Sequence, residues 1–253
     1  MKDQTERKIF FILLSLSLIS IALVFPYILS VQEELLKGIG QPIWIIFAAQ
    51  CIQSLILFSA AIHFGLFFAR KTGLQLPLIR AAVEKKDYGK ILEDILGISV
   101  FAGIASAAAI YASDYLFAVK GVAISTHESY APVWQKLLAS FYGGITEEVL
   151  MRLFLMTFFV WIGMRLLGRK QPAKAGIILS ILLAAVIFGL GHLPITASMT
   201  ALTPLIITRA IVLNGIGGIV FGWLFWKKGL ESAMIAHFTA DIFLLTLFPL
   251  IFG

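Results

Sequence analysis

The chain has 253 residues, 60% of them hydrophobic and only 13% charged, with a mean hydropathy of +0.96 and a formal net charge of +6. That composition excludes a soluble globule and describes a membrane protein. The lone Cys51 excludes an internal disulfide and a cysteine zinc cluster, and positive charge in loops beside apolar runs records topology rather than a nucleic-acid partner.

A charged head, Met1 to Lys8, precedes an apolar run from Ile9 to Ser30, long enough to cross a bilayer of roughly 30 Å at about 1.5 Å per residue. The run is too long for a signal-peptide core and lacks a clear small-residue cleavage site, so it reads as an uncleaved first span. Glu33, Glu34 and Lys37 mark a short loop, and Gly38 to Pro42 punctuates the start of a second span, Ile43 to Ala69. His63 in that span has no acidic neighbour and is left outside any site. Arg70 to Lys90 holds Arg70, Lys71, Arg80, Lys85, Lys86 and Lys90 with leucines between them, as an amphipathic helix on lipid or a solvated loop, cytoplasmic in either case. A third span, Ile91 to Val119, is rich in Ala and Ser, which allow close helix approach. The loop after it holds His127 and Glu128 without the His-Glu-x-x-His spacing of helical zinc peptidases.

Ala131 to Leu167 is the stretch that organises the rest. It reads as a half-helix to Tyr142, a break at Gly143-Gly144, and a fourth span from an N-capping Thr146, with Glu147 and Glu148 in the first turn. Irregular backbone at membrane depth is tolerated only inside protein or against a water-filled space, so such a break points to a cavity. Arg165, Arg169, Lys170 and Lys174 precede a fifth span, Ala175 to Leu193. The sixth, Pro204 to Trp226, carries Arg209 and a small-residue face of Gly215, Gly217, Gly218 and Gly222. Lys227 and Lys228 lead into the last, Gly229 to Phe252. Alternating basic and sparse loops give an all-α polytopic bundle of seven spans, or eight if Ala131 to Leu167 divides. The expected topology puts the N-terminus in the cytoplasm and the C-terminus outside. We read one multi-pass domain of the cell membrane over 1–253, with 1–130 as scaffold and 131–253 as catalytic core.

Charge inside a span costs ~2.5–3.5 kcal/mol per group at a helix centre, so charge kept there points to function. Glu148 and Arg152 are i and i+4 and can pair, while Glu147 points about 100° away and is left for general-base work. Antiparallel spans bring His192 to the same end as Glu147. His237 and Asp241 lie one turn apart, with the Asp able to orient the imidazole. Two mechanisms use this set. Glu147 with His192 can activate a water for attack on a peptide carbonyl, with His237 and Asp241 stabilising the oxyanion. Alternatively, Glu147, His192 and His237 hold a divalent metal such as zinc. No ligand pair has tight local metal spacing, so the version that requires no cofactor is preferred. The readings from other classes are a proton- or ion-coupled transporter and a catalytically silent membrane adaptor or immunity protein.

Glu147-Glu148-x-x-x-Arg152, Phe188-x-x-x-His192 and His237-x-x-x-Asp241, in that order on three hydrophobic segments, resemble the three motifs of the CPBP (CAAX protease and bacteriocin-processing, or Abi) intramembrane endopeptidases. The resemblance covers roughly Ala131 to the C-terminus. It implies an all-helical membrane protease in which Glu147 is the catalytic glutamate, His192 its partner, and His237 with Asp241 the oxyanion or substrate-positioning pair. Glu148, Arg152 and Phe188 complete the motifs in support. Asp241 stands where many members have Asn, keeping the acceptor. The partners implied are the bilayer and a leader-type peptide or a lipidated, for example prenylated, protein. In the eukaryotic prenyl-protein branch the site works on cytoplasmic substrates, whereas the loop charges here put Glu147 and His192 nearer the outer side.

Overall fold

The structure is a computed structural model that describes residues 4–122 and 131–252, so the loop reading of His127 and Glu128 lies outside the described residues. In order the helices are α1 (Gln4–Val31), α2 (Glu33–Ile39), α3 (Ile43–Thr72), α4 (Pro77–Val83), α5 (Gly89–Val119), α6 (Val133–Leu166), α7 (Lys174–Gly191), α8 (Leu193–Met199), α9 (Pro204–Lys228) and α10 (Leu230–Phe252). Seven helical segments are long and apolar enough to cross a membrane: α1, α3, α5, α6, α7 continued by α8, α9 and α10.

Small residues set which helices touch. On α9, a Cβ at Gly218 would meet Ala185 of α7 at 2.6 Å and one at Gly222 would meet Ile181 at 3.0 Å. The glycine stripe on α9 therefore lets α7 lie against its backbone. On α5, Gly103 faces the Ala236 carbonyl and Thr239 of α10, and Ser99 Oγ lies 2.7 Å from Ser232 Oγ. Gly65 of α3 admits Leu153 of α6. The core between them is filled by Leu153, Met156, Phe221 and Leu224, all buried, while Trp44 and Phe101 are exposed on the outside, where a bilayer would cover them.

Two expectations are corrected. First, α6 does not break at Gly143-Gly144. The helix runs through both glycines with i→i+5 hydrogen bonding over Tyr142–Glu147 and again over Val149–Met156, the wide π-helical turn that recurs at functional sites. Thr146 is consequently not an N-cap but a buried mid-helix residue hydrogen-bonded to Ser20 of α1, and Glu147 and Glu148 are not in a first turn. The glycines are there for close approach: a Cβ on Gly143 would run into the Asp241 carboxylate and lie 3.0 Å from His237 Nε2, and one on Gly144 would lie 2.8 Å from Phe238 Cβ. Second, the segment after Arg70 is neither a lipid-surface helix nor a solvated loop throughout. Leu74 and Leu76 are buried and α4 is tied down at two points. Arg80 Nη2 donates to the buried Glu6 carboxylate of α1 at 2.6 Å, and the Ile79 N–H donates to Glu231 of α10 at 2.8 Å. Gly229, at φ +101°, allows the tight α9–α10 connection and leaves room for Pro77.

Candidate active site

The charged residues of α6 are held from below by an aromatic layer. Glu148 and Arg152 pair across one turn, Nη1 to Oε1 at 3.0 Å, and both are buried, at 0% and 2% exposure. The guanidinium lies 5.3 Å from the Phe188 ring centroid and 5.5 Å from that of Phe221, and Nη2 donates to the Gly218 carbonyl at 3.3 Å. Arg152 thus reaches α9 through the gap its glycines leave, with two ring faces in place of water.

Glu148 also receives His237. The imidazole Nδ1 sits 2.8 Å from the same Oε1, and the ring stacks on Phe221 at 4.7 Å and 23°. Glu148, one helix away, takes Nδ1, and the Asp241 carboxylate expected to orient the ring stands on its Nε2 side. Because Glu148 is an acceptor paired with Arg152, Nδ1 carries the hydrogen and Nε2 is turned to the other side. There Nε2 lies 3.7 Å from Glu147 Oε2 and 3.7 Å from Asp241 Oδ1, beyond the reach of direct hydrogen bonds.

Glu147, His192, His237 and Asp241 all line one cavity of about 260 Å³, bounded by α1, α5, α6, α7, α9 and α10. His192 ends α7, and its Nδ1 lies 2.8 Å from the Phe188 carbonyl, which leaves Nε2 for the cavity. Phe188 touches both imidazoles edge-on, at 4.8 Å from His192 and 5.9 Å from His237. All seven site residues singled out in the sequence are thus gathered around one space, with Phe188 in its wall and Glu148 and Arg152 behind it. The wide turns recur here: α10 continues past Asp241 as a π-helix over Ile242–Leu247.

Two participants are not found by motif reading. Phe221 stacks on His237 and covers Arg152, a role that only tertiary packing reveals. Asn214 of α9 lines the same cavity, with Nδ2 donating to the Ala210 carbonyl at 2.9 Å. It carries a readable signal, being the only asparagine in the chain and standing inside a span. As for a metal held by Glu147, His192 and His237, among the described residues no three His, Cys, Asp or Glu side chains stand close enough together to hold one. The donor set does not fit a metal in this arrangement.

Residues 129–243 match the family model described as "Type II CAAX prenyl endopeptidase Rce1-like", which is the CPBP, or Abi, family. The match takes in all three motifs and the whole of α6, α7 and α9. No curated protein and no solved structure matches the chain.

Proposed function

Because residues 129–243 form a CPBP-family core, which implies CAAX-type intramembrane endopeptidase activity, we propose that this protein hydrolyses peptide bonds by a water activated between Glu147 and His192. The observation that carries the reading is the convergence of Glu147, His192, His237 and Asp241 on one cavity within the matched segment. A carboxylate with no arginine of its own and an imidazole with one nitrogen spare are a general-base pair. Water bridged to Glu147 loses its proton as it attacks the carbonyl carbon, and the same groups return that proton to the leaving amine.

The oxyanion that forms is stabilised by donors already in place. His237 in its imidazolium form donates through Nε2, its orientation held by Glu148, Arg152 and Phe221. Asp241 as a carboxylate is an acceptor only. The second amide hydrogen of Asn214, whose first is held by Ala210, supplies a neutral donor on the same cavity. The reaction in this reading needs no resident metal, and its substrates are peptide or prenyl-modified chains associated with the membrane.

The test is peptide cleavage by the purified protein in detergent, comparing wild type with Glu147→Ala and His192→Ala, each with and without a strong chelator. Both substitutions are expected to remove cleavage and chelation to leave it intact. Loss on chelation with rescue by zinc would transfer the chemistry to a metal, and cleavage by both variants would sink the protease reading.

A further inference from the structure

Fifteen of the twenty Lys and Arg residues fall before α1 ends its first turns, between Arg70 and Lys90, between Arg165 and Lys174, or at Lys227 and Lys228. In the fold, those from Arg7 onward stand at the N-terminal ends of α1, α5, α7 and α10 and the C-terminal ends of α3, α6 and α9, or in the α4 segment between α3 and α5. Seven spans with no break put all of these ends on one face. The opposite face carries four: Lys37 and Lys120 between its spans, and Lys136 and Arg209 in the first two turns of α6 and α9; the connection from His192 to Thr203 has no acidic or basic side chain apart from His192 itself.

The site is far from the basic face. Along α6, Glu147 is about 27 Å of helix from Arg165; along α7, His192 is about 27 Å from Lys174; along α9, Asn214 is about 20 Å from Lys227. His237 is the nearest, about 14 Å from Lys228. From there the cavity continues away from the basic face, bordered by Tyr27, Ile110, Ala139 and Leu245. On the basic side the bundle is stopped by the segment Leu74–Leu76 and α4. Leu230 N–H donates to the Gln75 carbonyl at 3.1 Å, Glu231 holds Ile79, and Glu6 holds Arg80.

We infer that the cavity opens to the face opposite the lysines and arginines, and that it takes its peptide from that side. Basic loops stay in the cytoplasm, so that face is extracytoplasmic. The substrate class follows: a polypeptide that has left the cytoplasm, either an exported peptide or the outer flank of a membrane-anchored protein, in place of a cytosolic prenylated tail. The inference rests on the endopeptidase reading for its substrate and on charge and packing for its topology.

The test separates these two. In full-length protein with Cys51→Ser, single cysteines are introduced by Ser198→Cys on the sparse face, Gln171→Cys on the basic face, and Leu245→Cys and Ile110→Cys in the cavity wall. A small membrane-impermeant thiol reagent is then added to intact bacterial cells. Ser198→Cys and both wall variants are expected to react in intact cells, and Gln171→Cys only after permeabilisation. Two wall variants guard against one failing to fold. Labelling of Gln171→Cys but not Ser198→Cys in intact cells would overturn the topology. Labelling of Ser198→Cys with both wall positions protected until permeabilisation would overturn the opening. Neither result touches the Glu147→Ala cleavage comparison, which alone decides whether the site is a protease.

Discussion

Two clusters of buried charge stabilise this bundle, and they differ in what lies in front of them. At the basic face, Glu6, Arg80 and Glu231 join α1, α4 and α10: each contact links the end of one helix to another, and Glu231 accepts a backbone N–H much as an N-capping side chain does. Deeper in the bundle, Glu148, Arg152 and His237 also tie two helices together, but they support a second rank of groups, Glu147, His192, Asn214 and Asp241, that faces a cavity. Buried charge is common to both. A second rank with a space in front of it belongs only to the second.

Substitutions in each cluster test that difference. The largest effect is expected at Glu147: Glu147→Ala should lower the cleavage rate by ~10²–10⁴-fold while leaving the thermal unfolding temperature in detergent unchanged. Next, Arg152→Ala removes the guanidinium from the fully buried Glu148 carboxylate, leaving it His237 alone, and should destabilise the fold by ~3–5 kcal/mol, read as a lowered unfolding midpoint together with lost cleavage. Asn214→Ala should cost on the order of 10²-fold in kcat with little change in KM; a change confined to KM would remove Asn214 from the oxyanion. Smallest is Glu231→Gln, which keeps an amide oxygen to accept from Ile79 N–H and should lower stability by no more than ~1 kcal/mol with kcat unaltered. A large kcat loss in Glu231→Gln with the fold intact would erase the distinction between the two clusters.

What could be read without coordinates, and what could not, follows from the kind of constraint involved. Six of the seven spans were legible to within a few residues, because a bilayer demands an apolar run of a set length whatever that run packs against; the exception is α6, read from Thr146 but running from Val133. The Glu148–Arg152 pair was legible as a helical i, i+4 contact. Gly143-Gly144 was not, since the same two residues serve either a chain break or a close helix approach. Only the presence of His237, Phe238 and Asp241 across the gap decides for approach. The orienting of His237 by Glu148 was hidden for a similar reason: residues 89 apart in sequence meet only when α10 is laid on α6. Arg80 looked like one charge among six in a basic stretch, and its pairing with Glu6 depends on α4 folding back beneath α1.

The cavity carries a demand on whatever enters it. Its groups act on a peptide carbonyl, and in a helix each carbonyl is already bonded to the N–H four residues on and shielded by the side chains of its own turn. A membrane-anchored chain must therefore be locally unwound to present a peptide bond, surrendering several of its own hydrogen bonds as it does so. Cleavage should then follow how readily the substrate gives up its helix. Gly, Pro and β-branched residues near the scissile bond would speed it, and an alanine-rich neighbourhood would slow it.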